Sequence, residues 1–164
     1  MSETDCQVHS VSTMHEPLGR LEYVWQLADR VRRAATRRLY YASNVVRRRN
    51  GERAIEPDDS KTVTQAFQPG ERVRVKSEDG IRKTIDDWDM LKGCGFMREQ
   101  WSYCGKEQVV FKHVERFLDE RDYLVKRVRD TYLLEGALCS GADFGPCDRS
   151  CFFFWRGEWL ERIE

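Results

Sequence analysis

The sequence predicts a mainly β domain, a small barrel of short strands with one short helical insert, preceded by a long N-terminal amphipathic helix. Three observations predict it. Apolar residues recur in steps of three and four from Leu21 to Val46. The period then switches to two at Val73 and Val75, and several short apolar runs separated by turn residues follow. Only one short helical pattern interrupts those runs, as in a small curled sheet rather than a layered α/β fold.

Residues 1–18 are polar, acidic and aperiodic, the composition of a disordered tail. Leu21, Val24, Trp25, Ala28, Val31, Ala35, Leu39, Ala42, Val45 and Val46 then share one face of a helix over 19–50. Arginines occupy the other face, and Asn50-Gly51 supplies a stop signal. A helix of this length has to cover its stripe, on the body or on a second copy. Residues 51–68 are polar, with a turn at Pro57-Asp58-Asp59-Ser60, and read as a linker.

Pro69-Gly70-Glu71 opens the second region, 69–164. Val73 and Val75 alternate with Arg72, Arg74 and Lys76, a half-exposed strand. Ile81, Ile85, Trp88 and Leu91 suit a short helix. Val109 to Val114, Tyr123 to Val128 and Tyr132 to Leu138 read as further strands. Phe152-Phe153-Phe154-Trp155 supplies the last one, and its unbroken apolar run predicts burial on both faces.

The 164 residues carry 28 Lys and Arg against 28 Asp and Glu, so net charge by itself indicates no polyanionic partner. The balance hides an asymmetry. From Arg20 to Arg53 ten arginines stand against Glu22, Asp29 and Glu52, and the remainder is net acidic by the same amount, a pattern of an interaction arm beside a differently charged body. No run approaches the length of a membrane span, and the first 18 residues hold no apolar core of an export signal. The expectation is therefore a cytoplasmic protein without membrane contact, whose six cysteines serve as metal ligands or free thiols rather than as disulfides.

Four of those cysteines stand beside turn-forming residues: Cys104 before Gly105, Cys139 in Cys-Ser-Gly, and Cys147 and Cys151 in Gly-Pro-Cys-Asp-Arg-Ser-Cys. Four thiolates match the ligand count of tetrahedral zinc or of a thiolate-held iron–sulfur cluster, and an adjacent glycine lets the backbone turn a sulfur inward. The spacing matches neither the paired knuckles of zinc ribbons nor common ferredoxin strings, but it suits ligands drawn from loops at one end of a barrel. A structural zinc site is favoured, with an iron–sulfur cluster as the alternative and thiols acting as nucleophiles or a redox pair as a third reading. Arg149 could donate to a thiolate or simply be solvated. His113 could replace one cysteine, or pair with Cys104 as a nucleophile, although a lone strand histidine is ordinarily just partly exposed.

From Pro69 onward the chain resembles a family of small bacterial cysteine-cluster proteins often encoded beside biosynthetic genes. Gly70-Glu71-x-Val73-x-Val75, Phe96-Met97, Tyr103-Cys104-Gly105 and Leu134-Glu135-Gly136 carry the likeness. So do Cys139-x-Gly141, Cys147-x-x-x-Cys151, Phe154-Trp155 and Trp159-Leu160. The resemblance implies an SH3-like barrel with a cysteine cluster, and leaves Cys94 and Cys6 outside the site. It names no reaction, and it does not cover the arginine-rich helix.

No nucleophile elbow, phosphate-binding glycine loop or zinc-protease helix is found in the sequence. Asp119-Glu120-Arg121-Asp122, and Asp86, Asp87 and Asp89, read as charged turns rather than acid/base machinery. The expectation is a metal-binding accessory protein of a biosynthetic pathway, leaning away from catalysis, that meets a partner protein or itself through the N-terminal helix. The alternatives are an iron–sulfur protein serving a neighbouring enzyme and a nucleic-acid-binding module, since arginine-rich helices neutralise phosphates.

Overall fold

A computed structural model of the protein describes residues 18–49, 66–141 and 147–163. The N-terminal tail with Cys6, the linker as far as residue 65 and the Gly145-Pro146 turn lie outside the described residues. Helix α1, Arg20–Arg49, matches the sequence reading. At its start the Glu22 carboxylate accepts the Gly19 amide at 2.9 Å, satisfying a donor that no helical carbonyl can reach.

The body is built on one antiparallel sheet of β1 (Arg72–Val75), β4 (Glu107–Asp119), β5 (Leu124–Leu134), β6 (Trp155–Arg156) and β7 (Leu160–Arg162). Its order is β6-β5-β4-β1-β7. The two edge strands are therefore consecutive in the chain, joined only by a 3-10 turn at Gly157–Trp159. They pair with β5 and β1, and not with each other, so the sheet does not close into a hydrogen-bonded barrel among the described residues. The architecture is mixed helix and sheet rather than mainly β, because α1 alone contributes 30 residues. No helix among the described residues is long and apolar enough to cross a membrane.

Between β1 and β4 the chain makes α2 (Glu78–Arg82), a small hairpin of β2 (Met90–Leu91) and β3 (Cys94–Gly95), and a 3-10 turn at Arg98–Tyr103. The helix expected over Ile81–Leu91 thus stops after one turn. It ends where Thr84 closes a tighter turn, its amide and hydroxyl both donating to the Ile81 carbonyl at 2.9 and 2.7 Å, and beyond it Asp86 accepts the amides of Trp88 at 2.8 Å and Met90 at 2.9 Å. Tyr123–Val128 and Tyr132–Leu138 are not two strands either. One strand, β5, runs from Leu124 to Leu134, and the chain then turns at Gly136, with φ +67°.

Val73, Val75, Ile81, Phe96, Val110, Tyr132, Leu134, Phe153, Trp155, Trp159 and Leu160 fill the core. Phe67 joins them, packed edge-on against Tyr132, so the last residues of the sequence-assigned linker belong to the body. Residues 152–155 alternate instead of burying both faces. Phe153 and Trp155 enter the core, whereas Phe152 and Phe154 stay partly exposed against Phe111 and Phe117. A buried carboxylate locks the insert to the edge turn: Glu158 accepts Lys92 Nζ at 2.7 Å and lies 3.4 Å from Arg156. Burial pushes its pKa up, but the Lys92 bond and the nearby cations outweigh that and hold it below the usual value.

Helix α1 meets this body near its C-terminal end only by one face. Tyr41 packs on Trp88 with ring centroids 4.7 Å apart, and the buried Asn44 donates to the Asp87 carbonyl at 3.3 Å. At 3.6 residues per turn, Tyr41 and Asn44 point roughly opposite to the apolar stripe. The stripe that the sequence required to be covered is consequently open.

Candidate metal centre

After β5 the chain passes through Ala137–Gly141 and later returns antiparallel to it over residues 151–153. Leu138 bridges Phe152, with the Cys139 amide donating to the Cys151 carbonyl at 2.7 Å and the Phe153 amide to Ala137 at 3.1 Å. Cys139 and Cys151 are therefore opposed beside that bridge, joined by the one bond from the Cys139 amide. Cys147 comes to the same place by a different route. Gly141 adopts φ +76°, and a Cβ there would lie 2.0 Å from the Cys147 carbonyl oxygen. Only glycine allows that approach. The Gly141 amide also donates to the Cys139 sulfur at 3.3 Å.

Two polar ties hold this loop pair. Glu99, in the 3-10 turn of the insert, accepts the Ser140 amide at 2.9 Å and its hydroxyl at 2.8 Å. Arg149 donates twice to Glu120 in the β4–β5 turn, at 3.0 and 2.8 Å. That bond and the Glu120 charge, then the charges of Cys151 and Cys147, push the Arg149 pKa up. Arg149 is thus a half-exposed loop arginine paired with a carboxylate, nearer the solvated reading than the thiolate donor. The β4–β5 turn is a charge-paired corner. Asp119 accepts Arg121 and Lys126, which hold its carboxyl well below the usual range.

Cys104 is placed differently. It leaves the 3-10 turn at the end away from Glu99, with Gly105 at φ +75° turning the chain into a bond with the Val75 carbonyl. Burial pushes its thiol pKa up, and the charges that act on it are those of Glu78 and Arg82, not of the other cysteines. Among the described residues no three Cys, His, Asp or Glu side chains converge on a point a metal ion could occupy. What the backbone gathers is three of the four expected cysteines. Cys139 is partly buried, and Cys147 and Cys151 are exposed.

Cys94 stands apart, its sulfur 3.9 Å from the Phe154 carbonyl and its pKa pushed up to about 11 by burial. His113 stacks on its cross-strand partner Tyr132 at 4.9 Å, a packing contact. Sequence reading missed the outer aromatic row beside the cysteine loops, where Phe111 stacks on Phe152 at 5.1 Å. The unbroken apolar run 152–155 carries no alternation that would show which of its residues face outward.

The Gly141 approach gives a direct test. Gly141→Ala is expected to lose about 1–2 kcal/mol from the left-handed backbone alone, and the clash displaces the 147–151 segment further. Faster alkylation of Cys139 and shifted amide resonances at Cys147 and Cys151 would report the displacement. Unchanged values would mean that the approach does not hold the loops together.

No protein-family model matches this chain, and no curated protein or solved structure is similar to it.

Proposed function

We propose that Cys104, Cys139, Cys147 and Cys151 hold one structural zinc ion, and that the protein is a metal-stapled accessory protein that binds a partner rather than turning over a substrate. The observation that carries this reading is the opposition of Cys139 and Cys151 with Cys147 pressed against Gly141. Loops with few apolar residues gain nothing from gathering three thiols, two of them exposed, whereas a thiolate-bound metal crosslinks them. Cys104 packs against the same core as Cys139 and is the fourth thiol on that side of the sequence resemblance. When bound, zinc would supply a tetrahedral crosslink between the insert, the end of β5 and the approach to β6.

The strand order supports an SH3-like barrel for the body. β1 lies between β4 and β7, a long β4–β5 hairpin follows it, and a single 3-10 turn separates the last two strands. The outer aromatic row, Phe111 on Phe152 and Phe117 on Phe154, is the surface on which a biosynthetic partner enzyme docks.

Metal analysis of protein purified without oxygen tests the site. One zinc per chain is expected, and cobalt substitution should give the charge-transfer and d–d bands of tetrahedral thiolate ligation. Brown protein with iron and sulfide would replace zinc by the cluster. Metal kept in full by Cys104→Ser would remove that residue from the ligand set.

A further inference from the structure

We infer that α1 pairs antiparallel with α1 of a second copy of this chain. The inference is independent of the metal site. Leu21, Val24, Trp25, Val31, Leu39 and Val46 are all more than half exposed, with Leu21 80% and Trp25 76% accessible. They line one face of a 30-residue helix whose opposite face holds the body. The area they expose is on the order of 800 Å², what one partner contributes to a stable interface.

The face also has a repeat of seven. Leu21, Ala28, Ala35 and Ala42 alternate with Val24, Val31, Arg38 and Val45 at the spacing of a two-helix seam. In the antiparallel register that sets Val24 opposite Ala42, Val31 meets Ala35 and Leu21 meets Val45. Large side chains then face small ones in the inner layers, and Leu21 packs on Val45 at the two ends. Arg38, the one charge in the seam, faces Ala28, which leaves room for its stem to lie flat and its head to reach water beside the second copy's Asp29. An in-register parallel pair would instead set Arg38 on Arg38 and alanine on alanine. That costs like-charge repulsion and leaves voids.

Charge fixes how the pairing responds to salt. α1 holds nine arginines against Glu22 and Asp29, so two copies repel, and screening strengthens their association. Nucleic acid on the same helix would respond in the opposite sense.

Sedimentation equilibrium of the full chain is expected to give twice the 19.4 kDa chain mass, more completely as salt rises from low to moderate. Val31→Asp should weaken the dimer about 100-fold or more, since it buries a charge in the seam. Arg38→Leu should tighten it. Both variants should keep the wild-type far-ultraviolet spectrum, because the stripe does not touch the body. In a Val24→Cys/Ala42→Cys protein, a short bis-maleimide should join the peptides carrying positions 24 and 42 between chains. A monomer at moderate salt, a dimer that survives Val31→Asp, or links joining position 24 to itself would overturn the proposal.

Discussion

Cys139→Ser and Cys151→Ser proteins are expected to emerge without metal and to lose several kcal/mol of stability, against an apparent worth of ~10 kcal/mol or more for a structural thiolate zinc site. The reason is local. Residues 137–141 and 151–153 are joined by two backbone bonds, which together make the Leu138–Phe152 bridge, Glu99 ties only Ser140, and the Arg149–Glu120 pair beside them is exposed, so it contributes only ~0–1 kcal/mol. With the crosslink gone, little remains to hold the exposed thiols of Cys147 and Cys151 in place. Cys94→Ser is the control. Its thiol is partly buried against the Phe154 carbonyl, outside the cysteine loops, so metal content should not change. Metal content and urea midpoints for the three variants decide the matter. Metal retained in Cys139→Ser, or lost in Cys94→Ser, sinks the assignment.

Trp159→Ala is expected to cost about 3–5 kcal/mol, the range for removing a fully buried large aromatic. The indole is completely buried, packs edge-on against Phe96 at 5.0 Å and donates to the Thr84 hydroxyl at 3.0 Å. It therefore joins the turn between the two edge strands to both ends of the insert. Trp159→Phe keeps most of the apolar volume and loses only the hydrogen bond, for about 1 kcal/mol. Urea denaturation at constant slope distinguishes the two. A cost below ~1 kcal/mol for the alanine variant would show that the cavity collapses without harm.

The elements that follow a single strong period were legible in the sequence. α1 ends within a residue of its stop signal, and Val73 and Val75 turn inward as their alternation requires. What was not legible depends on side chains competing with the backbone or on distant partners. The Thr84 hydroxyl takes the Ile81 carbonyl where the apolar spacing would have continued a helix, and the Asp86 carboxylate turns the chain after it. The four-residue run Phe152–Trp155 gives no hint of which face is covered until β4 sets Phe111 and Phe117 against it. The turn glycines did mark Cys104 and Cys139, since Gly105 and Gly141 both have positive φ. They could not show that Cys104 would face Glu78 and Arg82. Nor could the stripe on α1 reveal that Tyr41 and Asn44, from the opposite side, would make the contact with the body.

The consecutive edge strands have a consequence for how the domain is made. β1 acquires its second neighbour, and β5 its outer one, only from residues 155–162, the last strands of the sheet in chain order. A nascent chain carrying everything up to residue 154 can form the β4–β5 hairpin but leaves β1 and β5 each with an open ladder. It also lacks Trp155 and Trp159. Such a chain exposes unpaired strand edges beside an unfilled core, the state most prone to adhere to its neighbours. Residues 155–162 thus convert an aggregation-prone hairpin into a finished sheet, and the body folds as a unit only after they are available.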